Sequence, residues 1–288
     1  RLPSTTNTMI DAADGKAVVT KEYLQSSTSG TLDQAYDFGG AGNGRTITAD
    51  NGAVTINGTD GLVSSGTAGV GAISPSGAGT RMVWNPRKSA FRAGRVSGTE
   101  WDDVNVGDNS IAMGFGTRAT GNSCIALGSN CSASGLGSVA FGWFVNANAT
   151  QSTAFGLGTN TNNVYSTAFG YQTSTSGRAS TSFGVNNEAE SFGEVVLGIG
   201  ATTYTPSTNG ANQFRIANAT DRLLVVGNAI DADNDDVVDN SERSNALVIL
   251  KNGNTGIGSS TPGERLHVAG RTLLTNGFSA TNAALLYQ

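Results

Sequence analysis

Charge is scarce in this chain. Lys, Arg, Asp and Glu together make 14% of its 288 residues, where about 25% is usual for a globular domain. One histidine, His267, is present, so a Ser-His-Asp or Cys-His relay would have to use it. It sits in "RLHVAG", which reads as a strand and makes it a surface or interchain residue. Two cysteines, Cys124 and Cys131, are too few for a disulfide scaffold and lack metal-site spacing. No run of eighteen apolar residues occurs, which excludes a membrane-spanning helix. A net charge of −5 and a pI near 4.9 leave no basic footprint for nucleic acid or anionic lipid.

What fills the space is small. Glycine alone supplies 40 residues, and Ser, Thr, Asn and Ala make up much of the rest. With 38% apolar residues and few charges, the chain does not fit the low-hydrophobicity, high-charge signature of disorder. Short strands joined by many tight turns suit such a composition, so the expected class is all-β.

A repeat organises the middle. Gly114, Gly128, Gly142, Gly156, Gly170, Gly184 and Gly198 stand fourteen residues apart. The residue before each is large and apolar: Met113, Leu127, Phe141, Phe155, Phe169, Phe183, Leu197. Two before it comes a small residue, mostly alanine, and four before it mostly serine, with Cys124 and Glu194 as the exceptions. Fourteen residues are too few for a helical hairpin repeat. They suit one coil of a β-solenoid, read as a strand of about five residues, a turn, a second such strand and a turn. Alternation places the large ladder and Ile111, Ile125 and Val139 on one face, and the serine and alanine columns on the other. Seven coils stacked at about 4.8 Å rise about 29 Å.

A coil this short encloses a thin interior, lined by its small residues. The large ladder then needs cover, and an exposed stripe of this size exceeds what soluble monomers carry. Self-association of identical chains is the simplest cover; a monomer with the ladder facing inward is the alternative. Cys124 and Cys131 lie half a coil apart and face each other either as a disulfide or as small buried thiols.

The phrases "NSIAMG", "NSCIALG" and "GSVAFG" at this period resemble the head repeats of YadA-type trimeric autotransporter adhesins. The resemblance covers about residues 107–204. It implies a left-handed parallel β-roll, three chains around a common axis, and display at a surface. Thr153, Thr167 and Thr181 depart from it, standing where an aliphatic residue is common, as does the bulky Phe ladder. Similar repeats occur in phage-type tail fibres.

The flanks divide the chain further. Residues 1–30 are read as a connector, since "AADGKAVVTKEYL" is similar to connectors of trimeric fibres, with an ordinary exposed turn and strand as the alternative. Residues 31–106 form a β-rich capping domain, 107–204 the roll, and 205–288 a C-terminal β domain. In "GTRMVWNPRKSAFRAG", Pro86 marks a loop between strands. Trp84, Phe91 and Trp101 are expected to seal the first coil, or else, with arginine, to form a carbohydrate platform. The run "NGNTGIGSSTPGERLHVAG", residues 252–270, resembles segments of tail-fibre proteins that lie upstream of an endosialidase-type intramolecular chaperone. That resemblance implies that Gln288 marks a cleaved or trimmed end. Arg1 in place of methionine similarly raises the expectation of a leader or upstream domain outside this numbering.

The densest chemical signal is "DADNDDVVDNSE", residues 231–242. Asp231, Asp233, Asp235, Asp239 and Glu242 occupy positions 1, 3, 5, 9 and 12 of a twelve-residue calcium loop, with the Val237 carbonyl at position 7. Asp236 stands where such loops prefer glycine, and no flanking helices are apparent. The competing reading is a solvated acidic loop at the tip of a hairpin between "RLLVVGN" and "NALVIL". "GGAGNG" does not match a phosphate-binding fingerprint. Asp108, Glu188, Glu190 and Glu194 make no persuasive pair for glycoside hydrolysis. The expectation is therefore a noncatalytic extracellular homotrimeric fibre segment for adhesion to glycans or a host receptor. A filament or spacer subunit is the alternative, and a polysaccharide depolymerase the more distant one.

Overall fold

The computed structural model describes residues 75–272 except Asp236, together with 52–56, 59, 61–71 and 73. The connector at 1–30, most of "TLDQAYDFGGAGNGRTITADNG" and the end at "ATNAALLYQ" lie outside the described residues.

The described chain is all-β, with three short 3-10 turns and no helix long enough to cross a membrane. It opens with a hairpin, β1 (Gly79–Asn85) and β2 (Ala90–Val96), turning at Pro86–Lys88. The coils follow as alternating long and short strands. They are β3 (Ile111–Phe115), β4 (Arg118–Ala119), β5 (Ile125–Ser129), β6 (Ser132–Ala133), β7 (Val139–Trp143), β8 (Asn146–Ala147) and β9 (Thr153–Leu157). The series continues through β10 (Asn160–Thr161), β11 (Thr167–Tyr171), β12 (Ser174–Thr175), β13 (Thr181–Val185), β14 (Glu188–Ala189) and β15 (Val195–Ile199). Last come β16 (Arg222–Asn228), β17 (Asn245–Leu250), β18 (Thr255–Ile257) and β19 (Leu266–Val268). The five-residue strands form a parallel sheet in register, Phe155 on Phe169 and Gly156 on Gly170, and the two-residue strands form a second one. The roll is a parallel β-solenoid of fourteen-residue coils.

Its second leg is shorter than the sequence reading of two equal strands. Every seventh residue from Asn109 to Gly200 has φ between +50° and +66°, so each coil turns two left-handed corners and leaves room for only a two-residue strand between them. Glycine at the anchor has a steric cause. A Cβ on Gly156 would lie 1.9 Å from the carbonyl oxygen of Gly170 one rung away, and the other anchors from Gly114 to Gly184 repeat that approach at 1.9–2.0 Å.

The interior holds what was expected of it. Ala112, Ala126, Ala140, Ala154 and Ala168 are fully buried, as are Ala119, Ala133 and Ala147 opposite them. Serine suits its column because the turn supplies an acceptor three residues back. Ser152 Oγ donates to the Ala149 carbonyl at 2.8 Å, Ser166 to Asn163 at 2.6 Å and Ser180 to Gly177 at 2.7 Å. These buried hydroxyls are thus satisfied without widening the coil, whereas Ser138 Oγ in the same column has no hydrogen-bond partner among the described residues.

The sheet extends past both ends of the readable repeat. Gly94 of β2 pairs with Gly114 and Gly227 of β16 pairs with Gly198, each as a further parallel rung. Insertions before Gly114 and after Gly198 break the fourteen-residue spacing and hide these rungs from sequence. The short leg stops earlier: Thr203, in the column of Ala189, is exposed and in no strand.

Candidate functional site

The long strands alternate strictly, so the residues not in the coil interior form one outward stripe. Phe141, Phe155 and Phe169 are each 39% exposed, and Met113, Phe183 and Leu197 are similar. Trp143, Phe115, Tyr171 and Ile199 add a parallel line beside them. The phenyl rings stack at centroid distances of 4.7, 4.7 and 4.9 Å from Phe141 to Phe183, because identical side chains recur at the strand spacing. Thr153, Thr167 and Thr181, the departures noted in sequence, flank this stack on the same face.

The stripe also explains Trp84. In register, Met82 lies opposite Ala93 and Trp84 opposite Phe91, the outward residues of β2. Met82 is 74% exposed and Trp84 42%. Neither seals the coil; both prolong the apolar face, because the pleat points them away from the interior. Trp101 does seal the end, fully buried with Nε1 donating to the Thr117 carbonyl at 2.9 Å. Arg92, which the sequence reading missed, fills the same end of the coil. Arg92 points inward opposite Ala112 and donates to Ser110 O, Ser110 Oγ and Ala119 O at 2.9–3.0 Å. Burial lowers its pKa to about 10, still cationic at neutral pH. The signal was present, an arginine where the next six coils have alanine or serine, but the broken spacing concealed the column.

At the opposite end Glu194 replaces the ladder serine and is fully buried. Its Oε2 accepts from the Glu190 and Ser191 amides at 2.8 Å, while Oε1 has no hydrogen-bond partner among the described residues. Burial, the largest influence, raises both Glu194 and Glu190 to about 7. Glu190 Oε2 accepts from the Tyr204 amide at 2.7 Å, and the Arg222 guanidinium lies 4.2 Å over the Tyr204 ring. Two carboxylates the sequence did not pair are therefore brought together, but as a plug: fully buried Glu194 is closed to any saccharide, and its engaged oxygen holds backbone amides.

The acidic loop lies where expected, between antiparallel β16 and β17. Carboxylate oxygens of Asp231, Asp233 and Asp235 fall within 4.8 Å of one another, and Asp233 is raised by burial and by its acidic neighbours. Glu242 is not with them: its oxygens accept from the Ala232 and Asp239 amides, the latter at 2.9 Å. Val237 is 47% exposed with its amide on Asp235 Oδ1. Asp236 lies outside the described residues. His267 is exposed in β19, near Ser259 Oγ at 3.4 Å. Cys124 and Cys131 are free, buried thiols rather than a disulfide. Each sulfur is held by a backbone carbonyl, Ala133 O at 3.2 Å and Gly142 O at 3.1 Å, and burial pushes Cys124 up to about 11.

Residues 106–130, 125–144, 133–159 and 162–187 match the family model of the YadA head domain repeat. No curated protein and no solved structure matches the chain. The match falls on the segment where period, register and buried alanine column coincide, a little under a third of the chain. Over residues 106–187 the coils of this roll are similar to YadA head-domain repeats.

Proposed function

We propose that this chain is a noncatalytic segment of an extracellular homotrimeric fibre that binds surface glycans or a host receptor, as a cell-surface adhesin or a tail-fibre-like protein. One observation carries the reading: an apolar stripe, stacked phenyl rings at its centre, runs outward along the whole sheet. Strands about 4.8 Å apart from β1 to β18 make it about 50 Å long, longer than a soluble monomer leaves in water. Three identical stripes closing on one axis bury it symmetrically, and the resulting trimer presents three copies of every remaining surface, so weak contacts add in avidity. The match to YadA head repeats supports this arrangement.

Light scattering on the purified chain tests the assembly. Three times the 29.2 kDa chain mass, about 88 kDa, is expected, and a monomer would overturn it. Binding of the trimer to cells, glycan or matrix tests adhesion; end-to-end polymerisation without binding would favour a filament, and glycan cleavage a depolymerase.

The acidic loop belongs to the same proposal as a calcium site. Asp231, Asp233 and Asp235 supply its preformed part, and Asp239, Glu242 and the Val237 carbonyl complete it on binding. Titration calorimetry with Ca2+ on the full chain is expected to show heat at or below millimolar concentration that Asp233→Asn abolishes; no heat removes the site.

A further inference from the structure

A second surface, off the apolar stripe, is built at a corner of the roll. Arg178 and Phe192 occupy the same position of successive coils, just ahead of the left-handed corner that leads into the long strand. A strap, residues 205–221, lies across them. The Arg178 amide donates to Ala211 O at 2.7 Å, the Phe192 amide to Gly210 O at 2.9 Å, and Asn163 Nδ2 to Asn212 Oδ1 at 2.9 Å. The strap is stiffened from within. Buried Asn218 donates to Ser207 Oγ and the Thr208 carbonyl and accepts from the Arg215 amide, at 2.7–3.1 Å. Buried Asp221 accepts from the Ser207 amide and hydroxyl at 2.7 and 2.9 Å.

This strap presents Phe214, 71% exposed, against Phe192 with ring centroids 4.8 Å apart and 34° between planes. Two clefts of about 340 Å³ each flank the pair, one lined by Arg178, Asn212, Gln213 and Arg215, the other by Leu223 and Lys251. Those volumes stand at the small end of ligand sites. The Arg178 guanidinium lies 5.5 Å from the centroid of the Tyr165 ring, but neither it nor Arg215 has a carboxylate partner among the described residues, and no carboxylate lines either cleft. Two arginines without a carboxylate partner, on a chain of net charge −5, complement an anion. Aromatic faces suit the apolar face of a sugar ring, the guanidinium forks suit a carboxylate, and the Asn and Gln amides both donate to and accept from hydroxyls. A rigid strap keeps the ordering cost of binding low.

The geometry points to a binding site for acidic glycans at this corner, with a carboxylate-bearing pyranose packed on Phe214 and its carboxylate held by Arg178 and Arg215. The assignment rests on the adhesion reading and names its ligand class. Isothermal titration of the full chain with 3′-sialyllactose, a hyaluronan tetrasaccharide and lactose tests it. At least one acidic probe is expected to bind at least tenfold more tightly than lactose. Which one does so separates a sialic acid from a uronic acid as the natural source. Phe214→Ala and the double change Arg178→Gln with Arg215→Gln are each expected to weaken that binding at least tenfold, with unchanged assembly mass and circular dichroism. No acidic probe bound, lactose bound equally well, or affinity unaltered in both variants would overturn the site. Cell binding separates the two readings. Wild type and the Phe214→Ala variant holding to cells alike would sink this site and leave adhesion standing. Saccharide binding without attachment to any cell or matrix would sink adhesion and leave the site.

Discussion

Changing Glu194 to glutamine probes the plug at the end of the roll. The carboxyl is fully buried and one oxygen lacks a hydrogen-bond partner, so burial lifts it from 4.5 to about 7. The folded state therefore binds the proton more tightly than the unfolded chain. Stability from that proton is complete below pH 4.5 and is lost as the pH rises through 7. Between pH 8 and pH 5 the gain is about 2 kcal/mol. Glutamine copies the neutral acid. It is expected to match wild type at pH 5 and to exceed it by about 2 kcal/mol at pH 8. Urea unfolding at both pH values, at one fixed protomer concentration, supplies the comparison. Glu190 is raised into the same range partly by the Glu194 charge, and Arg222 and Lys251 also feel it, so the difference between the two proteins reports the coupled Glu190–Glu194 pair. Equal pH dependence in the two proteins would refute the assignment of a buried, proton-holding carboxyl.

Four further outcomes follow from the coils. Phe169→Asp removes about 80 Å² of residual apolar surface, about 2 kcal/mol per chain, and sets three carboxylates around one axis. The scattering mass is expected to fall to 29.2 kDa with the β signal intact, and an unchanged mass would mean the stripe is not the seam. Gly156→Ala drives a Cβ to 1.9 Å from Gly170 O, beyond what the ~3 kcal/mol of ordinary overpacking covers, so soluble expression should collapse. Thr159→Val removes a buried hydroxyl without a hydrogen-bond partner among the described residues, and Val145 already occupies that column one coil earlier. The midpoint of unfolding should rise by the equivalent of about 1 kcal/mol. Phe144 holds a left-handed corner at φ +53° with its ring 53% exposed. Phe144→Gly is expected to stabilise by about 1 kcal/mol, and a loss of stability would show that the stacking of its ring on Trp143, centroids 5.6 Å apart, outweighs the cost of the left-handed corner.

The period, the inward alanine column and the outward aromatic ladder were legible in the sequence. A fourteen-residue repeat with alternation of two leaves each side chain a choice of two faces, and only the small set fits inside the coil. The acidic hairpin tip was legible for the same local reason: a run of carboxylates between two alternating segments. The unequal legs were not, because a left-handed corner can be held by Asn, Gln, Ala, Tyr or Phe as well as glycine here, and no single residue type marks it.

Sequence by itself determined that identical rungs would stack and that an apolar ladder would be left over. Those are properties of spacing, and spacing is written in the chain. Tertiary structure alone decided the ends: that Arg92 plugs one and Glu194 the other, that β2 and β16 are rungs after all, and that Trp84 prolongs the stripe. It also decided that a strap from residues 205–221 brings Phe214 to Phe192 and Arg215 to the cleft that Arg178 lines. Each of these depends on insertions that break the period, and on contacts between residues far apart in the chain. Register across such a gap is set by which face can be buried, which no local pattern records.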